Sequence, residues 1–250
     1  MVNTREQQFQ SKPFFCRIYG DYALFTDPAT KGGGEKYTYS LPTFEALRGI
    51  ISAAYWKPTL EYIIDEVKVL NPIRSQTKGI LVPLNKGGQD RYYYTYLSDV
   101  AYGVKFHFEW NMARKDLDKD RDEIKHTQIL LRSLERGGRR DIFLGTRECL
   151  GYIERLRREE YEALASPYEG QQLDFGTAFH SFNYPKSEEK GESLTANFDR
   201  VQLINGILSF RRPEDTEIHH AVTDYQIPDL AGDSIETADE TLHQPEYREE

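Results

Sequence analysis

The order in which hydrophobic periodicity changes along the chain constrains its fold more than any other feature. Residues 14–19 are apolar and aromatic and close at Gly20-Asp21, which predicts a strand followed by a turn. After a glycine-rich loop at 27–34, Pro42 opens a run in which Phe44, Leu47, Ile50, Ile51, Ala54 and Tyr55 recur at three- and four-residue spacing until Pro58 stops it. That spacing predicts an amphipathic helix with Tyr55 in its last turn. Residues 59–70 alternate, with a change of phase before Val67, and predict a strand carrying a bulge. Two further period-two stretches, 91–96 and 104–110, predict separate strands. Residues 118–136 are rich in helix formers, with Ile124, Gln128, Leu131 and Leu134 along the expected inner stripe and Gly137-Gly138 as the stop. Residues 142–144 then predict a short strand. Strand, helix, strand, strand, helix, strand is the split βαβ pattern of a ferredoxin-like domain, with both helices on one face of the sheet.

Beyond residue 155 the pattern changes to short segments containing Gly, Tyr and Phe, at 173–184 and 198–210, which suit antiparallel strands joined by turns; 154–165 reads as an exposed helix. The expected fold class is therefore α+β: a ferredoxin-like domain over 1–153, a smaller antiparallel β-rich C-terminal extension over 154–227, and an acidic tail over 228–250 too polar to fold alone. That tail decides how the net charge of −9 is read. From Asp229 to Glu250 there are eight acids and one base, so the tail carries −7 and the remaining body is near −2. A nearly neutral body can still present a basic stripe, because affinity for nucleic acid follows the clustering of Lys and Arg rather than their sum.

Cys16 and Cys149 are the two cysteines and form no CxxC pair, so neither a disulfide framework nor a zinc site is expected, and His107, His180, His219, His220 and His243 fit no metal motif. No apolar run approaches bilayer length, and the first residues lack the apolar centre of a secretory signal; a cytoplasmic location with no membrane partner is expected. Neither GxGxxG nor a P-loop is present, so no nucleotide cofactor is expected.

Three stretches carry a family resemblance: GDYALFTDP at 20–28, YWKP at 55–58, and RDEIKHTQIL at 121–130 followed by GGRRDIFLGTREC at 137–149; FNYP at 182–185 and FRRPED at 210–215 continue it. In order and spacing they resemble the Cas-five d (Cas5d, also Cas5c or Dvulg-type) family, the guide-RNA-processing endoribonucleases of type I-C CRISPR systems. The resemblance implies a ferredoxin-like domain of the repeat-associated mysterious protein type with a β-rich extension. It also implies cleavage of CRISPR precursor RNA at the base of the repeat hairpin without a metal or cofactor, by Tyr55, Lys125 and His126. The implied partners are precursor RNA, mature guide RNA and the other subunits of the type I-C Cascade complex; the same basic surface is compatible with duplex DNA. Relatives in other subtypes cap the 5′ handle of the guide RNA without cutting, which is the alternative reading.

Those residue types suit that chemistry. RNA carries its own nucleophile, the 2′-hydroxyl beside the scissile phosphate, so the protein must move protons, hold the strand in line and offset charge. An imidazole titrating near neutrality makes His126 the natural proton carrier, Lys125 would stabilise the phosphorane, and Tyr55 would orient the hydroxyl or the phosphate. From residue chemistry alone, a single His on a charged helix reads as solvated. Adjacent helical residues point about 100° apart, so the length of the Lys125 side chain must close the gap to His126. For RNA contact, Gly137, Gly138, Arg139 and Arg140 place a permissive backbone beside two guanidiniums, and Lys31 and Lys36 flank a glycine-rich loop. Tyr92, Tyr93, Tyr94 and Tyr96 read as sheet residues before they read as base-stacking ones.

Overall fold

Alternation in two strands sets the sheet. In the computed structural model, which describes residues 9–28, 30, 34–83, 87–184 and 193–224, strand β1 (Phe14–Ala23) buries Phe14, Cys16 and Ile18 on one face. It pairs antiparallel with the long strand β5 (Gln89–Trp110), whose Val104, Phe106 and Phe108 are completely buried on the same face. Removing each such side chain from water contributes roughly 1.5–3 kcal/mol, so this face fixes the register of the sheet. Strand β1 does not turn at Gly20-Asp21 as its glycine suggested but runs on to Ala23. Gly20 is there for a different reason: a Cβ would lie 2.8 Å from the Leu150 carbonyl oxygen of the neighbouring chain segment.

Helix α1 (Phe44–Ala54) starts at Thr43, whose Oγ accepts from the Ala46 N–H at 3.2 Å, and buries Phe44, Leu47, Ile50, Ile51 and Ala54 as the spacing predicts. Strand β3 (Leu60–Val69) follows and pairs antiparallel with β5, with the expected bulge between Ile64 and Glu66. Strand β4 (Ser75–Pro83), which alternation did not single out, forms a hairpin with the first half of β5. The two stretches expected as separate strands, 91–96 and 104–110, are one strand that bends at Asp99, a residue with φ of 53° held by Asn71. The two-residue strand β2 (Lys36–Tyr37) lies parallel to β5.

Helix α2 (Glu123–Glu135) is capped by Asp122, and a 3₁₀ turn (Lys115–Asp120) precedes it where the sequence suggested continuous helix. Its inner stripe is His126, Leu130, Ser133 and Leu134, and Ile124 faces solvent. The expected stripe was rotated because a histidine holds an inward position. Gly137 (φ 80°) and Gly138 (φ 101°) end the helix as predicted, with the Gly138 N–H returning to the Ser133 carbonyl at 2.8 Å.

Strand β6 (Ile142–Phe143) is an edge appendage; the fourth strand of the ferredoxin-like sheet is β7 (Leu150–Leu156), which pairs antiparallel with β1. Residues 154–156 thus continue this sheet rather than opening a helix, and α3 (Arg158–Glu162) is a single short turn. The central order β3-β5-β1-β7 is that of a ferredoxin-like domain, in an α+β architecture. The helices share one face: α1 packs on β3, α2 on β7, and the two meet each other.

The extension consists of β8 (Gln172–Asn183), β9 (Ser193–Ile204), β10 (Ile207–Ser209) and β11 (Ile218–Asp224). The stretch 198–210 is divided by Asn205-Gly206, both with positive φ, a strong hairpin signal that the hydrophobic pattern obscured. Strand β10 pairs with β3, so the extension continues the first sheet edge to edge. A buried polar network reinforces the join. His107 and Glu109 lie on the face of β5 opposite the helices; His107 Nδ1 meets the Asp65 carboxylate at 2.9 Å, and Glu109 takes both terminal nitrogens of Arg212, at 2.9 and 2.7 Å. Burial raises the Glu109 carboxyl, but the bonds from His107 and Arg212 outweigh it and hold it down to about 2. Burial lowers the His107 imidazole, but Asp65 and Glu109 carry it up to about 9.

Arg212→Ala leaves the buried Glu109 carboxylate without its main partner and should cost about 3 kcal/mol of stability in urea denaturation. His107 has a folded pKa raised above its ordinary value of about 6.5, so its stabilisation is fully present below that value and is lost as pH rises through about 9. The difference in unfolding free energy between the parent chain and His107→Gln should accordingly be largest near pH 6 and shrink steadily toward pH 9.5.

Candidate active site

The end of α1 and the start of α2 meet over the end of β5. Tyr55 follows α1 in extended conformation, with φ of −157°, while its N–H still closes on Ile51 at 3.1 Å. It is therefore the residue past the last turn rather than within it, and the break in helical geometry sends its ring inward. Its hydroxyl lies 2.8 Å from His126 Nδ1. Trp110, at the end of β5, meets the imidazole edge to face at 5.8 Å.

His126 is completely buried, which overturns the solvated reading of a lone histidine on a charged helix. Its Nε2 lies 2.7 Å from the backbone oxygen of Asp120. A carbonyl only accepts, so Nε2 carries a proton; the neutral imidazole then presents Nδ1 as an acceptor, and the Tyr55 hydroxyl donates to it. Burial pushes the Tyr55 phenol above its ordinary value, against the pull of Arg139 and Lys125.

Asp120 organises the rest. Its carboxylate accepts from Thr59 Oγ at 2.6 Å, forms an ion pair with the Lys125 ammonium, and stands 3.4 Å from His126 Nε2. Bonds from Lys125 and Thr59 hold the Asp120 carboxyl down to about 2, and the bond to Asp120 keeps the Lys125 ammonium above its ordinary value. The angular gap between Lys125 and His126 is closed by this shared partner. Nothing in the hydrophobic pattern singled out Asp120 or Thr59; the available signal was a carboxylate five residues before a lysine, just ahead of a helix cap.

Arg139 also belongs here. Its guanidinium lies over the Tyr55 ring, 4.7 Å from the centroid, and its backbone N–H donates to the Ala54 carbonyl at 3.2 Å. Arg140 donates to the Ser52 carbonyl at 3.3 Å, so the segment after Gly137-Gly138 wraps the C-terminal end of α1 and supplies donors to its open carbonyls. Both arginines remain exposed. Trp56, beside Tyr55 in the chain, faces solvent with half its surface accessible. Lys36 is not brought to this cluster: it lies on β2 with its ammonium 4.8 Å from the Tyr94 ring centroid, on the hairpin half of β5. Lys31 lies outside the described residues.

The family model described as CRISPR-associated protein (Cas_Cas5), of the Cas5d type, matches residues 15–211. A solved structure described as a CRISPR-associated protein is 42% identical, with a TM-score of 0.71 over 86% of this chain and 100% of its own. A functionally uncharacterized protein from Streptococcus mutans is 44% identical, with a TM-score of 0.70 over the same shares. Among curated proteins, the CRISPR pre-crRNA endoribonuclease Cas5d of Mannheimia succiniciproducens is 28% identical over 216 residues, 76% of this chain and 91% of its own length.

The geometry separates the stability roles of the adjacent pair on α2. His126→Ala strands the Tyr55 hydroxyl and the Asp120 carbonyl in a buried site and should cost about 3 kcal/mol. Lys125→Ala removes an exposed, solvent-screened ion pair and should leave stability close to that of the parent chain. Urea denaturation of the two variants provides the comparison.

Proposed function

The chain belongs to the Cas5d family of CRISPR-associated proteins, and on that premise we propose that it is an endoribonuclease that cuts CRISPR precursor RNA at the base of the repeat hairpin. The observation that carries this reading is the 2.8 Å hydrogen bond from Tyr55 to His126, with the imidazole tautomer locked by Asp120. An imidazole buried behind a phenol cannot touch RNA without breaking that bond, so the proton passes through Tyr55. As the 2′-oxygen attacks phosphorus, its proton moves to the Tyr55 oxygen while the Tyr55 proton moves to His126 Nδ1. A phenol with a raised pKa is a poor free base, but this concerted relay never requires an isolated phenolate. The imidazolium that forms is held by the Asp120 carbonyl and faced by its carboxylate.

Lys125 offsets charge on the phosphorane and gives a proton to the departing 5′-oxygen as the P–O5′ bond breaks. The products are a 5′-hydroxyl and a 2′,3′-cyclic phosphate. The nucleophile comes from the substrate, its proton is taken up by Tyr55 and the proton of the leaving group is given by Lys125, so the scheme includes no metal or cofactor. Arg139 covers the Tyr55 ring, and in this proposal the scissile phosphate draws the guanidinium away and opens the hydroxyl to the RNA. Arg140 and the flexible backbone at Gly137-Gly138 contact the flanking phosphates. These contacts read no bases and would serve duplex DNA equally. After cleavage the protein keeps the mature guide RNA and assembles with the other subunits of a type I-C Cascade complex.

The competing reading is a non-catalytic subunit that only binds the guide RNA, and the near-complete burial of Tyr55 and His126 favours it. Cleavage of a labelled repeat hairpin in EDTA decides between them. The parent chain should cut once near the hairpin base. Tyr55→Phe, which keeps the ring and loses the hydroxyl, should bind RNA within about twofold of the parent and cut at least ~100-fold more slowly. Binding without cutting by the parent chain would establish the subunit reading instead.

A further inference from the structure

Trp56 follows Tyr55 directly and points the other way. Extended backbone at Tyr55, with φ of −157° and ψ of 127°, sends successive side chains to opposite sides, so the Tyr55 ring enters the core and the indole goes to solvent. Tyr55 is 1% exposed and Trp56 53%. The indole makes no ring contact among the described residues.

An exposed apolar side chain alone is ordinary, but the setting of this one is not. Its backbone is pinned on both sides: the Ala54 carbonyl accepts from the Arg139 N–H at 3.2 Å, the Lys57 carbonyl from the Leu60 N–H at 3.0 Å, and the Pro58 carbonyl from Asn111 Nδ2 at 3.1 Å. The ring is therefore presented from a rigid base rather than from a loop. Lys57 adjoins it in the chain, and Arg139 and Arg140 are tied to the Ala54 and Ser52 carbonyls just before it. These three cations are exposed and face no carboxylate among the described residues, whereas Arg114, Arg121 and Lys125 nearby are each paired with an aspartate. Free cations beside a bare aromatic plane are what a single strand of nucleic acid requires, with its phosphates on the former and a base on the latter. A protein partner would have to bring a carboxylate for each cation to the rim of an apolar contact.

We propose that Trp56 is the stacking platform for the base of an unpaired nucleotide close to the cut, and that it positions the RNA for attack at Tyr55. The proposal rests on the endoribonuclease reading given above. Attack requires the 2′-oxygen, the phosphorus and the 5′-oxygen in line, an alignment that a continuously stacked strand does not hold. The strand must kink, and the base that leaves the stack loses a neighbour. At the base of a hairpin one flank of the cut is unpaired, so a base on that flank leaves at least cost. The indole replaces the lost neighbour while Arg139 and Arg140 hold the adjoining phosphates. Because Tyr55 and Trp56 leave the backbone on opposite sides, that base belongs to a near neighbour of the scissile phosphate and not to the reacting ribose.

Tryptophan emission of the full chain tests this directly, since the chain has two tryptophans and the other, Trp110, is buried. The repeat hairpin with a 2′-deoxy sugar at the cut site has no nucleophile and binds without being cut; titrating it in should quench the Trp56 emission. Trp56→Phe leaves the Trp110 signal alone and keeps an aromatic plane, so it should bind within about threefold of the parent, whereas Trp56→Ala should bind about tenfold more weakly. With saturating protein on the cleavable hairpin, Trp56→Ala should cut at least about tenfold more slowly, and Trp56→Phe should recover most of that loss. Among hairpins carrying an abasic ribose at each of the first unpaired positions in turn, one should bind without quenching. Emission that RNA binding leaves unchanged, quenching that survives every abasic substitution, or parent-like binding and cutting by Trp56→Ala overturns the proposal and leaves the indole to a protein partner. A parent chain that cuts without quenching loses only the platform; one that binds with quenching and does not cut loses the nuclease reading and keeps the stacking site.

Discussion

Strand β5 between Val104 and Trp110 is buried on both faces, and the placement of nearly every other element follows from satisfying the two sides at once. On one face Val104, Phe106, Phe108 and Trp110 demand an apolar cover, which α1 and α2 provide. On the other, His107 and Glu109 demand charged partners, and those come from Asp65 on β3 and from Arg212 in the extension. A bare ferredoxin-like sheet would leave that second face to water. Here the polar groups on it require the extension, because a buried carboxylate without a cation is far more costly than one with a bidentate guanidinium. The FRRPED stretch is thus both a family signature and the clamp that holds the two halves together.

The same strand positions the candidate active site. Trp110 ends β5 beneath His126, and Tyr62, on the neighbouring strand β3, donates to the Tyr55 carbonyl at 2.8 Å. Tyr55 is therefore fixed from its backbone as well as from its ring and hydroxyl, on rigid elements rather than on a loop. The glycines after α2 complete the arrangement: their left-handed backbone turns the chain back so that Arg139 arrives over the Tyr55 ring from the end of the other helix.

Legibility in the sequence followed the physics of each element. Helix α1 and strand β3 were legible down to the bulge, because their apolar residues report burial directly. Helix α2 was legible as a helix but not in its rotation, since its most deeply buried residue is a histidine and hydropathy assigns that to solvent. The fourth sheet strand was displaced because β7 holds Gly151 near its start, where any Cβ would strike Leu144, and carries outward-facing charges that resemble an exposed helix. Tyr55, Lys125 and His126 were named through resemblance and not through pattern. Their convergence depends on long-range packing, as does the role of Asp120, which no local signal distinguishes from the other acids around it.

The buried phenol–imidazole bond is hard to account for by stability alone. A hydrogen bond between two neutral buried groups contributes only about 1 kcal/mol net, and an apolar pair of the same shape would hold the helices together about as well. An apolar pair could not define a tautomer or move a proton. Of its neighbours, Thr59 is also polar and buried and donates to Asp120, while Lys125 and Arg139 reach Asp120 and Tyr55 from the exposed side. On the proposed reading, a polar cluster in a place where hydrocarbon would serve the fold equally has its explanation in proton transfer through the Tyr55 hydroxyl.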